Sequence, residues 1–276
     1  MLILIFALGS CAFKSINRTK GTIYLNANPA TNTSGQKLNV FAPRSQKTKR
    51  PALIFIHGGN WNSGNRSLYN FLGSRMARKG IVTIIIDYPL SPKATYIEMA
   101  FACAASVKWV QENSAVYGAD TNKIFVAGHS AGGHLAALIS LDNQYFDSLG
   151  ITNPIKGTIL IDAGALDMYT YLKQEGLNEE HTYLKTFTKD PAVWKKASPV
   201  YYLHDGMPSF LIYQGERTYP FIKEANEIFL KNLLPLAPST EHYINKKKKH
   251  VPMITQFFNP ASPRYKEIIL FMANIN

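Results

Sequence analysis

Short apolar runs recur along the chain at 52–56 (ALIFI), 81–86 (IVTIII), 123–127 (KIFVA), 158–161 (TILI), 210–213 (FLIY) and 242–245 (HYIN). Runs of this kind predict strands, and the unbroken ones suit strands buried on both faces, as in a parallel sheet. Two further strands, 21–25 and 37–41, flank a loop at 26–35 that holds Asn, Pro and Gly, the residues that favour turns. Between the runs the period changes. Residues 67–78, 131–141, 220–233 and 263–274 predict helices, and 94–116 carries Ile97, Ala100, Phe101, Ala104, Val107, Trp109 and Val110 at helical spacing. Strands alternating with helices mean parallel strands joined by crossovers. The predicted class is therefore α/β, a mostly parallel central sheet with helices on both faces. The interval 163–207 is longer than a connection needs and is rich in Tyr and Lys, so it predicts a small cap insertion over the end of the sheet. No repeat or linker divides the remainder, and 19–276 reads as one domain.

Composition narrows the function classes. The 276 residues are 46% hydrophobic and 17% charged, which supplies a core and argues against disorder or a coiled coil. The two cysteines, Cys11 and Cys103, exclude a disulfide scaffold and a cysteine-rich zinc module. A balance of 30 Lys+Arg against 18 Asp+Glu gives +12, a charge that suits nucleic acid or an anionic surface. The basic residues are dispersed, however, apart from Lys246, Lys247, Lys248 and Lys249, and no nucleic-acid motif accompanies them. No nucleic-acid partner is expected. The lysine run reads as a solvated loop, with attraction of an acidic substrate or surface as its alternative. The first strand–helix turns lack G-x-G-x-x-G, and no G-x-x-x-x-G-K-[ST] is present, which disfavours a nucleotide enzyme.

Residues 2–8 form an apolar run far shorter than the roughly 20 residues that span a bilayer, but of signal-peptide length. With Gly9, Ser10 and Cys11 behind it, this run resembles a bacterial lipobox, so 1–18 is read as a leader and Cys11 as the candidate lipid-anchor residue. Nothing basic precedes Leu2, which leaves a plain secretory signal or a buried strand open. The expected location is outside the cytoplasm, periplasmic or extracellular. Cys103 then reads as a small buried hydrophobe on a helix.

The strongest chemical signal is Gly128-His129-Ser130-Ala131-Gly132, set between a predicted strand and a predicted helix. That is the context of the G-x-S-x-G nucleophile elbow. A turn this sharp strains the serine backbone, and glycine two residues either side lets strand and helix approach closely. The strain lifts the Ser130 hydroxyl above the sheet at a helix N-terminus, which favours negative charge. The second signal, His57-Gly58-Gly59-Asn60-Trp61, follows the strand at 52–56. In esterases such a loop offers backbone N–H groups to an oxyanion, together with the residue after the nucleophile. Here the donors are Gly59 or Asn60, and Ala131, each typically contributing about 3 to 4 kcal/mol at the transition state. His57 reads as structural. The third signal is His250, just after the last strand, where the hydrolase order of Ser, acid and His puts the base. His242, inside the strand, and His204, in the cap, are poorer candidates; His129 and His134 read as packing or hydrogen-bonding residues.

Together these residues resemble the α/β-hydrolase superfamily, in particular its esterase branch of carboxylesterases, kynurenine-formamidase-like enzymes and feruloyl and acetyl-xylan esterases. The likeness runs from about Leu38 to the C-terminus and includes Asp87-Tyr88-Pro89-Leu90, Ala197-Ser-Pro-Val200 and Pro208-Ser-Phe-Leu-Ile212. The resemblance implies a Ser-His-acid triad that uses no metal and no organic cofactor, acting on a small-molecule or saccharide ester. It also exposes a departure. Relatives usually carry an Asp or Glu three residues after the glycine of the seventh strand, and Gly215 puts Thr218 there. Threonine cannot carry the charge that orients and stabilises the imidazolium. Three sources of the acid stand open: Glu216; the end of the sixth strand, where Asp162 and Asp167 stand, Asp167 being preferred and Asp162 equally suited to capping the loop; or none.

The expectation is a serine hydrolase cleaving carboxylic esters through an acyl-enzyme, with Ser130 as nucleophile and His250 as base. Asp87-Tyr88-Pro89 reads as a brace beside the site. Tyr169, Tyr171, Tyr183 and Trp194 read as pocket lining or as covers of the core edge. The alternatives are a weakly active or non-catalytic binding protein on this scaffold, and a formamidase or peptidase using the same machinery.

Overall fold

The computed structural model describes residues 15–27, 35–45, 47–178 and 180–275. The leader expected at 1–18 lies largely outside the described residues, Cys11 included. Among the described residues one sheet is formed by β1 (Ile16–Leu25), β2 (Gln36–Pro43), β3 (Arg50–Ile56), β4 (Val82–Ile86), β5 (Ala119–His129), β6 (Ile155–Ile161), β7 (Ser209–Gly215) and β8 (Glu241–Asn245). Its spatial order is β1-β2-β4-β3-β5-β6-β7-β8. β1 and β2 form an antiparallel hairpin and β2 meets β4 antiparallel; every other pairing is parallel.

The helices are α1 (Asn70–Arg78), α2 (Tyr96–Glu112), α3 (Ser114–Tyr117), α4 (Ala131–Leu141) and α5 (Gln144–Asp147) in the first half. In the second half come α6 (Met168–Glu175), α7 (Thr182–Phe187), α8 (Pro191–Lys196), α9 (Pro220–Leu233), α10 (His250–Thr255) and α11 (Pro263–Asn274). The helix expected over 94–116 is two, because the chain turns at Asn113 and α3 stops at Gly118, in the left-handed region at φ 68°. The start of α2 is written in the sequence: Thr95 and Glu98 form a capping box, with the Thr95 N–H donating to Glu98 at 2.8 Å.

Alternation along the strands sorts the core into two layers. Ala52, Ile54 and Ile56 of β3 pack with α2, α4 and α9, while Leu53 and Phe55 pack with α1, α10 and α11 on the other face. Cys103 of α2 is buried in the first layer, and burial pushes its thiol up. The segment expected as a cap, between β6 and β7, holds three short helices, α6 to α8, and a turn at Pro199–Tyr202. The carboxyl ends of β3, β5, β6 and β7 point to one rim, the usual place for a site in an open α/β sheet. No helix among the described residues is long and apolar enough to cross a membrane.

Candidate active site

Ser130 sits between β5 and α4 with φ 55° and ψ −122°, a conformation that a non-glycine residue adopts only when its surroundings impose it. The surroundings here are tight. A Cβ on Gly128 would lie 2.1 Å from the Gly132 carbonyl oxygen, and one on Gly132 would lie 2.1 Å from the Ile56 oxygen. Neighbouring backbone secures the turn, since the Ser130 N–H donates to Ile161 O at 3.2 Å and Ser130 O accepts from Gly164 N–H. The elbow expected from the glycine spacing is thus formed by contact with β3 and β6 on either side.

His250 opens α10 immediately after the lysine turn. Its Nε2 is 2.8 Å from Ser130 Oγ and its Nδ1 is 2.6 Å from Asp162 Oδ2. With the proton on Nδ1, the imidazole donates to the carboxylate and accepts from the serine hydroxyl. Asp162 is fully buried at the carboxyl end of β6, with φ 50°. Its Oδ1 accepts from Gly215 N–H at 2.8 Å, and its Oδ2 also accepts from the Thr218 hydroxyl.

The two acids preferred from sequence stand elsewhere. Glu216 is exposed and accepts from Lys247 N–H at 2.6 Å, because it lies in the turn that faces the loop after β8 rather than the sheet end. Asp167 is buried, but it is the N-cap of α6 and accepts from Thr170 N–H at 3.1 Å. The carboxylate facing His250 is Asp162, the less preferred of the two candidates at the end of the sixth strand. The signal in the sequence is its place directly after the apolar run 158–161; in the fold that run is next to the strand of Ser130, and the Asp162 N–H donates to Tyr213 O of β7 at 2.7 Å.

The loop after β3 packs on the elbow. A Cβ on Gly58 would come 2.8 Å from His129 O and 3.1 Å from Ser130 Cβ. Gly59, Asn60 and Trp61 all have positive φ, at 134°, 50° and 60°, and the loop closes on Gly59 O, which accepts from the N–H groups of Asn62 and Ser63. Ala131 is the first residue of α4, so its N–H has no carbonyl partner within the helix. Trp61 is buried and donates its indole N–H to His134 Nδ1 at 3.2 Å; His134 Nε2 donates to Ala197 O at 2.7 Å. Burial pushes the His134 pKa down to about 4, so it is neutral and spans the loop, α4 and the segment before β7. The packing or hydrogen-bonding role expected of His134 is thus a relay between Trp61 and Ala197, partners that no spacing in the sequence marks.

The other expected supports are in place. His57 stacks on Tyr88 at 4.4 Å, Tyr88 OH donates to His57 O, and burial lowers the His57 pKa. Asp87 pairs with Arg66 and accepts from its N–H at 2.7 Å. Aromatic rings form a chain from Tyr219, 5.3 Å from the His250 ring, through Phe221, Tyr171 and Tyr183 to Trp61. Tyr171 and Tyr183 therefore join the wall between the histidine and the glycine loop. Tyr169 instead packs on Tyr201, and the Trp194 indole donates to Thr188 O. Among the described residues no cluster of three or more His, Cys, Asp or Glu side chains is arranged to hold a metal ion.

A model of the BD-FAE family matches residues 38–231, which is most of the chain and includes both glycine motifs. The chain belongs to the BD-FAE family. Esterase LipC of Mycobacterium tuberculosis is 30% identical over 224 residues, covering 76% of this chain and 55% of that protein. A kynurenine formamidase of Salmo salar is 33% identical over 141 residues, covering 50% of this chain and 45% of its own. The chain spans about half the length of these curated relatives. Among solved structures, the apo form of Thermogutta terrifontis esterase 2 superposes with a TM-score of 0.73 at 22% identity, covering 92% of this chain and 91% of that one. The form phosphoramylated by tabun gives 0.75 at 19% identity, covering 93% and 94%. At such identities the likeness speaks for the fold. This BD-FAE chain therefore has the α/β-hydrolase architecture expected from its motifs, with a sheet that turns antiparallel at the β1–β2 edge.

Proposed function

We propose that this chain is a carboxylic ester hydrolase acting by covalent acyl transfer, with Ser130 as nucleophile, His250 as general base and Asp162 as the orienting acid. The observation that carries the reading is the continuous pair of contacts from Ser130 Oγ to His250 Nε2 at 2.8 Å and from His250 Nδ1 to Asp162 Oδ2 at 2.6 Å. Family membership and relatives named as esterases support it. His250 takes the hydroxyl proton as Ser130 Oγ bonds the ester carbonyl carbon. The N–H groups of Gly59 or Asn60 and of Ala131 stabilise the oxyanion, and Asp162 stabilises the imidazolium. Collapse expels the alcohol, which takes the proton from His250. A water then gives its proton to His250, attacks the acyl carbon and releases the acid and the free serine.

The substrate we assign is a small-molecule or saccharide ester. Thr218 is the motive for a non-catalytic reading; the Asp162 carboxylate against His250 Nδ1 supports the catalytic one. Similarity to a protein named kynurenine formamidase supports a second substrate class, N-formyl amides, on the same machinery. Export, with an anchor at Cys11, belongs to the proposal through the lipobox-like run at 2–11 and is tested by fractionating cells that express Cys11→Ser. The catalytic reading is tested by hydrolysis of p-nitrophenyl acetate and by mass spectrometry after treatment with a fluorophosphonate. Expected are turnover that vanishes in Ser130→Ala and a single adduct on Ser130. Equal slow turnover in both chains, or an adduct elsewhere, overturns it.

A further inference from the structure

Thr218 occupies a position from which two parts of the site are held at once. Its hydroxyl donates to Asp162 Oδ2, the oxygen that also accepts from His250. Its N–H donates to Gly215 O at 3.2 Å, which closes the turn 215–218 after β7. The first residue of that turn, Gly215, donates its N–H to the other oxygen of Asp162. Both carboxylate oxygens are thus bonded by one four-residue turn.

The same turn is bonded to the loop that delivers the histidine. Glu216 N–H donates to Asn245 O at 3.1 Å, Arg217 N–H donates to Lys248 O at 2.9 Å, and Lys247 N–H donates to the Glu216 carboxylate. Two residues after Lys248 the chain reaches His250. The loop has a left-handed residue of its own, Lys247 at φ 60°, so its path is set by these bonds rather than by backbone preference.

We infer that Thr218 is a positioning residue for the reaction, fixing the Asp162 carboxylate at the one rotation that serves His250 Nδ1; the inference rests on the triad proposed above. A carboxylate on Cβ turns about χ2 over a broad, shallow well, and a buried one lacks water to hold it. Three donors divide the oxygens here: Gly215 takes Oδ1, while Thr218 and His250 share Oδ2. Removing the hydroxyl leaves Oδ2 with the imidazole alone, and the rotation is then held by two donors in place of three. The hydroxyl also suits this seat because it is uncharged. A second carboxylate in contact with Asp162 would force one of the two to hold its proton.

The test is a double-mutant cycle on p-nitrophenyl acetate, with kcat expressed per site titrated by a fluorophosphonate so that unfolded chains do not count. Thr218→Val keeps the shape and removes the donor; it is expected to lower kcat by about tenfold or more, with KM within about twofold. Thr218→Ser restores the donor and is expected to keep at least about half of kcat. In an Asp162→Asn background, Thr218→Val is expected to cost less than about twofold, since the hydroxyl acts through the carboxylate. Thr218→Ala replaces the valine chain if that chain yields no titratable sites. An undiminished kcat in the donor-less chain, an equal loss in Thr218→Ser, or a tenfold loss that persists without Asp162 overturns the positioning role alone. An Asp162→Asn chain with nearly full kcat overturns the acid assignment, and this inference with it.

Discussion

The imidazoles of His129 and His250 are stacked, with centroids 4.7 Å apart and planes inclined by 29°, and His129 Nε2 donates to His250 O at 3.3 Å. The residue before Ser130 in the elbow therefore seats the His250 ring from behind. Burial and the neighbouring His250 push the His129 pKa down to about 3, so the supporting ring is neutral across the ordinary range and sets no charge against the His250 ring.

Neutral buried histidines make stability depend on pH. The unfolded chain binds protons at these residues near pH 6.5, while folded His129 and His134 do so only near 3 and 4. Stability is thus full above about 6.5 and falls as pH drops below it, by up to about 1.4 kcal/mol per pH unit for each histidine. Urea unfolding between pH 7 and pH 5, where most carboxylates stay ionised, is expected to show this loss. His134→Gln should flatten the slope, and an unchanged slope would contradict the assignment.

The three acids separate by turnover. Asp162→Asn is expected to lower kcat by about four orders of magnitude. Glu216→Gln, on an exposed turn, and Asp167→Asn, at a helix cap, should each stay within about threefold of the parent. Asp167→Ala adds a stability loss of about 1 kcal/mol from the uncapped α6. Steady-state kinetics and thermal unfolding of the set read both quantities.

Gly132→Ala forces a methyl onto the Ile56 carbonyl, 2.1 Å away. Backbone cannot move aside as a flexible side chain would, so the cost is expected at about 3 kcal/mol. Fluorophosphonate labelling of Ser130 should fall with it, since the same contact sets the elbow. A variant of parental stability and labelling rate would show that the close approach is not required.

Trp61→Phe keeps the ring among Tyr183, Phe187 and His134 and removes one N–H. It leaves buried His134 Nδ1 without its donor, at a cost of about 1 to 3 kcal/mol. Because Trp61 anchors the glycine loop to α4, kcat should fall while KM changes little. A loss confined to KM would assign Trp61 to substrate contact instead.

Much of the architecture was readable in order along the chain. Apolar runs over 52–56, 81–86 and 210–213 are strands because a segment buried on both faces has no polar alternation to keep. Gly128 and Gly132 announced the elbow because sterics at that turn admit little else, and His250 followed from its place after the last strand. The boundaries that shifted were local: β5 begins at Ala119, which pairs with Arg50 ahead of a register shift, and α2 stops at Glu112 before a separate turn of helix. Hairpin direction at β1–β2 is set by pairing partners, which periodicity does not encode.

What the sequence by itself determined is the set of parts: a parallel sheet, a strained serine, a glycine loop beside it and a histidine at the end. Each follows from short-range sterics or from one-dimensional burial. The tertiary structure decided which carboxylate contacts the histidine. Asp162 and His250 are 88 residues apart, and the turn after β7 that bonds Asp162 and the loop leading to His250 exists only when β6, β7 and β8 lie side by side. Along the chain Thr218 stands where relatives usually carry an acid; folded, it is a donor to the Asp162 carboxylate one strand away, because hydrogen-bond distance is set by strand order and not by spacing.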